Sequence, residues 1–269
     1  MADAMNRLNR IPGLLPGLTF LTILVCWELS TRLLTIPSFL LPAPSRIAEG
    51  FDAVTASRWL AHVWATLRVA LLGFITAIAV SLPLAILLTR SRLVSTGIYP
   101  LLVVIQSTPI VAVAPIIIVT MGSGDVSRVL ITFLISFFPL VVSMTTGLKA
   151  TPEELIELSH SLKAPLLREF SQIRIPFAIP YIFSGLKISV TLSVIGAVVA
   201  EFVAAEQGIG YFIQFSTSLF KIPEAWAGLG ILVVMSLTLF QIIAQIQRRL
   251  FPLEPAEGGK NDQLSHQEC

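Results

Sequence analysis

An all-α polytopic membrane fold with six spans is predicted by three observations. Hydrophobic residues make up 55% of the 269-residue chain and charged residues only 13%, about half the charged share of a soluble domain. Mean hydropathy is +0.84. Six apolar segments, at 14–34, 60–89, 98–121, 128–148, 178–204 and 226–247, each approach or exceed the roughly 20 residues that cross a bilayer core.

The elements follow in order. Arg7 and Arg10 precede the first apolar run, which lacks a small-residue cleavage site and is followed by further spans. It reads as a retained helix, not a signal peptide. Residues 36–58, rich in Pro, Ser and Ala, read as a loop. The second segment is long enough to tilt or to begin outside the membrane. Pro83, Pro109, Pro115 and Pro139 fall inside spans, and each predicts a kink because proline leaves a backbone carbonyl without its partner. Gln106, Ser107 and Thr108 precede Pro109. Gln106 and Thr108 are candidates for lining a pathway, and satisfying the released carbonyls is the alternative. Glu28 and Arg68 are two further ionisable residues within spans that are candidates to pair with each other.

The fifth segment carries two stripes. Ser189, Ser193, Gly196 and Ala200 form a small-residue face, suited either to packing within the chain or to a dimer seam. On another face lie Lys187, Thr191, Val194, Val198 and Glu201. Ionisable residues in spans usually face protein or water, so Lys187, Thr191 and Glu201 are pathway candidates. Snorkelling by Lys187 and a fixed helix-terminal hydrogen bond at Glu201 are the competing readings. Beyond this span, Gln207-Gly208-Ile209-Gly210 reads as a turn. Tyr211, Phe215, Leu219 and Ile222 then predict the apolar face of a short interfacial helix.

Lysine and arginine set the orientation. With the N-terminus inside, the cytoplasmic segments hold Arg7, Arg10, Arg90, Arg92, Lys149, Lys163, Arg168, Arg174, Arg248, Arg249 and Lys260. The external segments hold Arg32, Arg46, Arg58, Arg128 and Lys221. This asymmetry places both termini and the 149–177 loop in the cytoplasm. The permease region is read as 1–250, followed by a polar cytoplasmic tail at 251–269.

Several functions are excluded by pattern. A net charge of +2 gives no basis for nucleic-acid binding. Gly258-Gly259-Lys260-Asn261 does not make a phosphate loop, and no H-E-x-x-H helix or Gly-x-Ser-x-Gly elbow occurs. His62, His160 and His266 are scattered, and Cys26 and Cys269 give no disulfide framework. The chain is therefore read as no enzyme, with no metal or cofactor of its own.

The longest polar interruption is the stretch 151–176, TPEELIELSHSLKAPLLREFSQIRIP. Thr151, Pro152 and Glu154 predict a capped helix start. Leu155, Leu158 and Leu162 supply an apolar stripe, Pro165 interrupts, and Leu166, Leu167, Phe170 and Ile173 predict a second short helix. Together they make a compact knob. A hairpin lying on lipid is the alternative, but Glu153, Glu154, Glu157 and Glu169 oppose contact with anionic headgroups.

The spacing of this stretch resembles the EAA loop of permease subunits in bacterial binding-protein-dependent ABC importers. Glu157-Leu158-Ser159 stands where that family has Glu-Ala-Ala, and Lys163 where it has Gly. Ile173, Ile175 and Pro176 stand where it has Ile, Leu and Pro. The run PYIFSGLKISVTLSVIGAVVAEF and the later GIGY extend the likeness over about 14–250. The chain is most similar to the permeases of nitrate, sulfonate, taurine and thiamine-precursor importers. The resemblance implies a type I importer fold in the bacterial inner membrane and a homodimer within lipid. It also implies a cytoplasmic ATPase partner that uses ATP and Mg, and an external solute-binding protein. Glu154, Glu157, Leu158, Ser159 and Lys163 would meet the ATPase, and Ile173 and Pro176 would set the loop against the membrane. The stretch from Pro180 to Tyr211 is more similar to the pyrimidine or thiamine-precursor branch than to the nitrate, sulfonate and taurine branch. An ATP-independent secondary transporter is the competing class, although no inverted repeat is visible.

Overall fold

The computed structural model describes residues 14–251. Arg7, Arg10, Lys260, His266, Cys269 and the tail from 252 onward lie outside the described residues. Within them the chain is helical without strands. Its elements are α1 (Leu14–Leu33), α2 (Pro44–Asp52), α3 (Ala56–Arg90), α4 (Arg92–Ser107), α5 (Ile110–Met121) and α6 (Asp125–Lys149). They are followed by α7 (Glu153–Ser161), α8 (Leu166–Arg168), a π-helical turn (Glu169–Arg174), α9 (Ile175–Ala204), α10 (Ile209–Ser218) and α11 (Ile222–Leu250). Five helices are long and apolar enough to cross a membrane, or six spans if the bent pair α4–α5 counts as one.

That bent pair departs from the single kinked helix predicted over 98–121. α4 and α5 meet at 91°, with Pro109 standing as the N-cap of α5. The Thr108 amide turns to the Ile105 carbonyl (3.2 Å). The Ser107 and Thr108 hydroxyls both donate to the Val104 carbonyl, at 2.9 and 3.0 Å. A turn of helix that proline cannot continue is thus closed by its own side chains.

The core is the three-helix contact of α3, α6 and α9, with α9 against α6 the most extensive. Small residues allow it. A Cβ on Gly196 would stand 2.8 Å from the Thr132 Cα, and one on Gly185 would stand 2.7 Å from the Ser143 Cβ. Ser189, Ser193, Gly196 and Ala200 are all buried, so the small-residue face is occupied by α6 of the same chain and is not free to form a dimer seam. The hydroxyls of Ser189 on α9 and Ser81 on α3 donate to the Ser136 (2.8 Å) and Phe137 (3.4 Å) carbonyls of α6, just ahead of Pro139. Such cross-helix bonds hold apolar helices together where lipid offers no hydrophobic drive.

α1 stands at the periphery, with Thr31 its one buried residue. It touches the bundle through Trp27 against Trp226 at 5.2 Å. Glu28 accepts from Arg32 (2.6 Å) and from the Ser45 amide (3.0 Å) and hydroxyl (2.8 Å), while Arg68 pairs with Asp125. The Glu28–Arg68 pair considered from sequence does not form, because each finds a partner closer in its own part of the fold. α7 and the π turn lie at one end of the bundle, here the loop end; α10 lies at the other, the far end.

Candidate functional site

At the loop end, α6 stops at Lys149 and the chain turns into α7. The predicted Thr151 cap is absent. Pro152 is the N-cap without a side-chain bond, and the buried Thr151 hydroxyl turns back to the Leu148 carbonyl at 3.5 Å. α7 ends in a Schellman turn. The Lys163 amide donates to the His160 carbonyl (2.9 Å) and the Ala164 amide to the Ser159 carbonyl (3.0 Å), with Lys163 left-handed at φ 50°. The turn usually made by glycine is therefore made by lysine, against a left-handed cost of roughly 1–2 kcal/mol. Thr35 and Phe220 close α1 and α10 in the same way, at φ 48° and 57°. Lys163→Gly is expected to stabilise the chain by about 1 kcal/mol, read as a rise in Tm of about 2–4 °C. A fall in Tm would show that the lysine side chain holds the turn.

Pro165 does not separate two free helices. It is the N-cap of α8, and α8, the π turn and α9 run on as one apolar stretch, Leu166–Ala204. Ile173 (half-buried) and Pro176 (exposed) accordingly sit in the root of a span and not on a separate helix. Glu154, Glu157 and Lys163 are exposed, and Leu158 is 55% exposed. Ser159 is withdrawn, at 3% exposure, because its side of α7 faces back to the bundle. Leu162 and Leu167 stand out at 72% and 82% exposure. A hollow of about 300 Å³ between α7 and the root of α9 is lined by Leu155, Leu158, Leu162, Pro165, Arg168 and Ile173. Exposed leucines rimmed by Glu154, Glu157, Lys163 and Arg168 make an apolar patch of the kind that marks an interaction surface.

The pathway candidates are not brought together. Gln106 and Thr108 are exposed at the α4–α5 bend. Half-buried Thr191 bonds the Lys187 carbonyl (3.0 Å) midway along α9. Glu201 is 1% exposed at the far end. There it accepts from the Gly210 amide at 2.7 Å. The Gly208 amide donates to His62 Nδ1 (3.2 Å) and the Ile209 amide to Thr66 Oγ1 (2.8 Å). Three successive amides at the start of α10, which no residue within that helix can satisfy, are thus taken by α3 and α9. This turns α10 about its axis. Ile209, Phe212 and Ser216 are buried, whereas Phe215 and Leu219 of the predicted apolar face are half exposed. Ile222 belongs to α11.

A second polar group, not predicted from the sequence, lies at the far end. Asp125, at the first turn of α6, pairs with Arg68 of α3 and with Arg128 (3.0 Å). The Arg128 spacing, i to i+3, was visible in sequence; the Arg68 partner was not. A cavity of about 450 Å³ beside them is lined by Trp64, Arg68, Asp125, Arg128, Glu206 and Gln207.

A bundle of broken and close-packed spans, with a polar cavity at one end and a knob of exposed leucines and acids at the other, is the build of a polytopic membrane protein. Comparison with known proteins identifies the family. Over residues 71–252 the chain matches the family described as binding-protein-dependent transport system inner membrane component, and it belongs to that family of ABC importer permeases. It is 34% identical to the formylaminopyrimidine transport permease protein ThiX of Halalkalibacterium halodurans, over 88% of this chain and 94% of that protein. It is 34% identical to the riboflavin transport system permease protein RibX of Chloroflexus aurantiacus, over 89% and 90%. It is 26% identical to the taurine transport system permease protein TauC of Escherichia coli, over 91% of each.

Proposed function

We propose that this permease imports a small nitrogen heteroaromatic solute, a thiamine-precursor pyrimidine first among them, driven by a separate ATPase. In this reading residues 1–250 form the transport unit, 251–269 a polar tail, and both termini and the knob face the cytoplasm. The ATPase, using ATP and Mg, seats on Glu154, Glu157, Leu158 and Lys163, with Ile173 and Pro176 fixing the root of the knob. A solute-binding protein delivers its cargo at the far end. Two copies of the chain assemble in lipid and present two knobs to an ATPase dimer.

The observation that supports the coupling part is the exposure of Leu158 (55%), Leu162 (72%) and Leu167 (82%) beside the exposed acids Glu154 and Glu157, a patch of the kind that interaction surfaces carry. The solute class rests on the two relatives at 34% identity, named for formylaminopyrimidine and riboflavin transport. Nitrate, sulfonate or taurine is the second reading, supported by relatives named for those solutes at 25–27% identity.

The test is ATP hydrolysis in proteoliposomes holding this chain, its ATPase and its binding protein. A formylaminopyrimidine is expected to stimulate hydrolysis, while taurine and nitrate do not. Stimulation by taurine or nitrate alone would overturn the solute class and leave the importer intact.

A further inference from the structure

The residues between α8 and α9 form a π-helical turn, Glu169–Arg174. An α-helix brings together residues three or four apart, whereas a π turn, with its i to i+5 bonds, aligns residues five apart. Glu169 and Arg174 have that spacing, and Arg174 Nε donates to Glu169 Oε1 at 2.7 Å. The pair is largely dry, with side chains 3% and 13% exposed.

The pair also reaches the neighbouring elements. Arg174 Nη1 donates to the Leu148 carbonyl in the last turn of α6 (3.3 Å). Its guanidinium lies over the Phe170 ring, 5.3 Å from the centroid. The second oxygen of Glu169 stands 3.4 Å from Nε2 of His160, on α7. Leu148, Phe170 and Ala178 pack in one buried cluster around this point. The end of α6, the end of α7 and the root of α9 therefore converge on a single ion pair, and π turns inside longer helices recur at functional positions.

We propose that Glu169 and Arg174 are positioning residues. They form a buried joint that makes α7, α6 and α9 move together, so that a displacement of α7 by the ATPase reaches the two central spans. The inference rests on the reading of α7 as the ATPase contact and adds to it the residues that carry the motion inward. A dry ion pair suits this role because separating its halves leaves an uncompensated charge, so the attached elements shift as a body.

The test uses the full complex in proteoliposomes. Two variants are compared with the native chain: Glu169→Gln, which keeps the shape, and Glu169→Met with Arg174→Met, which replaces the pair by apolar side chains of similar volume. Co-purification with the ATPase and solute imported per ATP hydrolysed are read together. Both variants are expected to co-purify as the native chain does and to import on the order of tenfold less solute per ATP. A ratio within twofold of native would overturn the joint, as would a loss that merely follows lost co-purification. If the native chain itself neither binds the ATPase nor imports with it, the coupling reading falls and takes the joint with it. Native coupling with an unchanged variant ratio removes the joint alone.

Discussion

Replacing Gly208 by alanine is expected to cost this protein about 3–5 kcal/mol and to lower its Tm by about 10 °C. Two independent terms contribute. Gly208 stands at φ 125°, ψ 162°, a region reserved for glycine, where a side chain costs about 1–3 kcal/mol. A Cβ there would also collide with the Glu201 carboxylate. That carboxyl group is buried and bonded to the Gly210 amide, and leaving such a buried group without its partner costs about 1–3 kcal/mol. Gly122 separates the two terms. It has a similar backbone, φ 87° and ψ 167°, but nothing within 4 Å of its Cβ position. Gly122→Ala should therefore lose only the backbone share, and thermal unfolding of the two variants in detergent reads the difference. Equal losses would mean that Glu201 yields freely and that the anchoring of α10 contributes little.

Glu157→Lys is expected to abolish ATP-driven uptake while leaving the fold intact. Glu157 is exposed on α7 and takes part in no ion pair among the described residues. Substitution at such a position moves stability by about 0.5 kcal/mol or less. Against a partner the result differs. A reversed charge in a desolvated contact costs about 2–5 kcal/mol, enough to lower uptake on the order of a hundredfold. Uptake and Tm measured on one preparation check both halves. Unchanged uptake would move the docking contact away from the acidic face, to Leu158 and Leu162.

How much of this was legible beforehand depends on the range of each interaction. The apolar segments were visible because a span announces itself by composition over some 20 residues. The knob was visible because Glu157, Lys163, Ile173 and Pro176 keep a spacing within one loop. Lys163 took the left-handed position although it lacks glycine's freedom, since the Schellman bonds and the following Pro165 end α7 there. From the sequence, Pro109 predicts a kink and not a break. Proline reports a missing bond, not the 91° angle at which α4 and α5 meet. The π turn was hidden because i to i+5 pairing is no part of the 3.6-residue pattern. The anchoring of α10 was hidden for another reason: it joins His62 and Thr66 to residues 208–209 across more than 140 positions, and no local pattern encodes that.

In the proposed function this chain moves solute only when a separate ATPase drives it. The direct measurement is accumulation of a labelled thiamine-precursor pyrimidine in proteoliposomes holding the native chain, its ATPase and its binding protein, with Mg-ATP or Mg-ADP inside the compartment that the knob faces. Accumulation is expected with ATP, none with ADP, and none when the ATPase is left out. Accumulation that persists without the ATPase and follows an imposed ion gradient would contradict the proposed function and make the chain a secondary transporter.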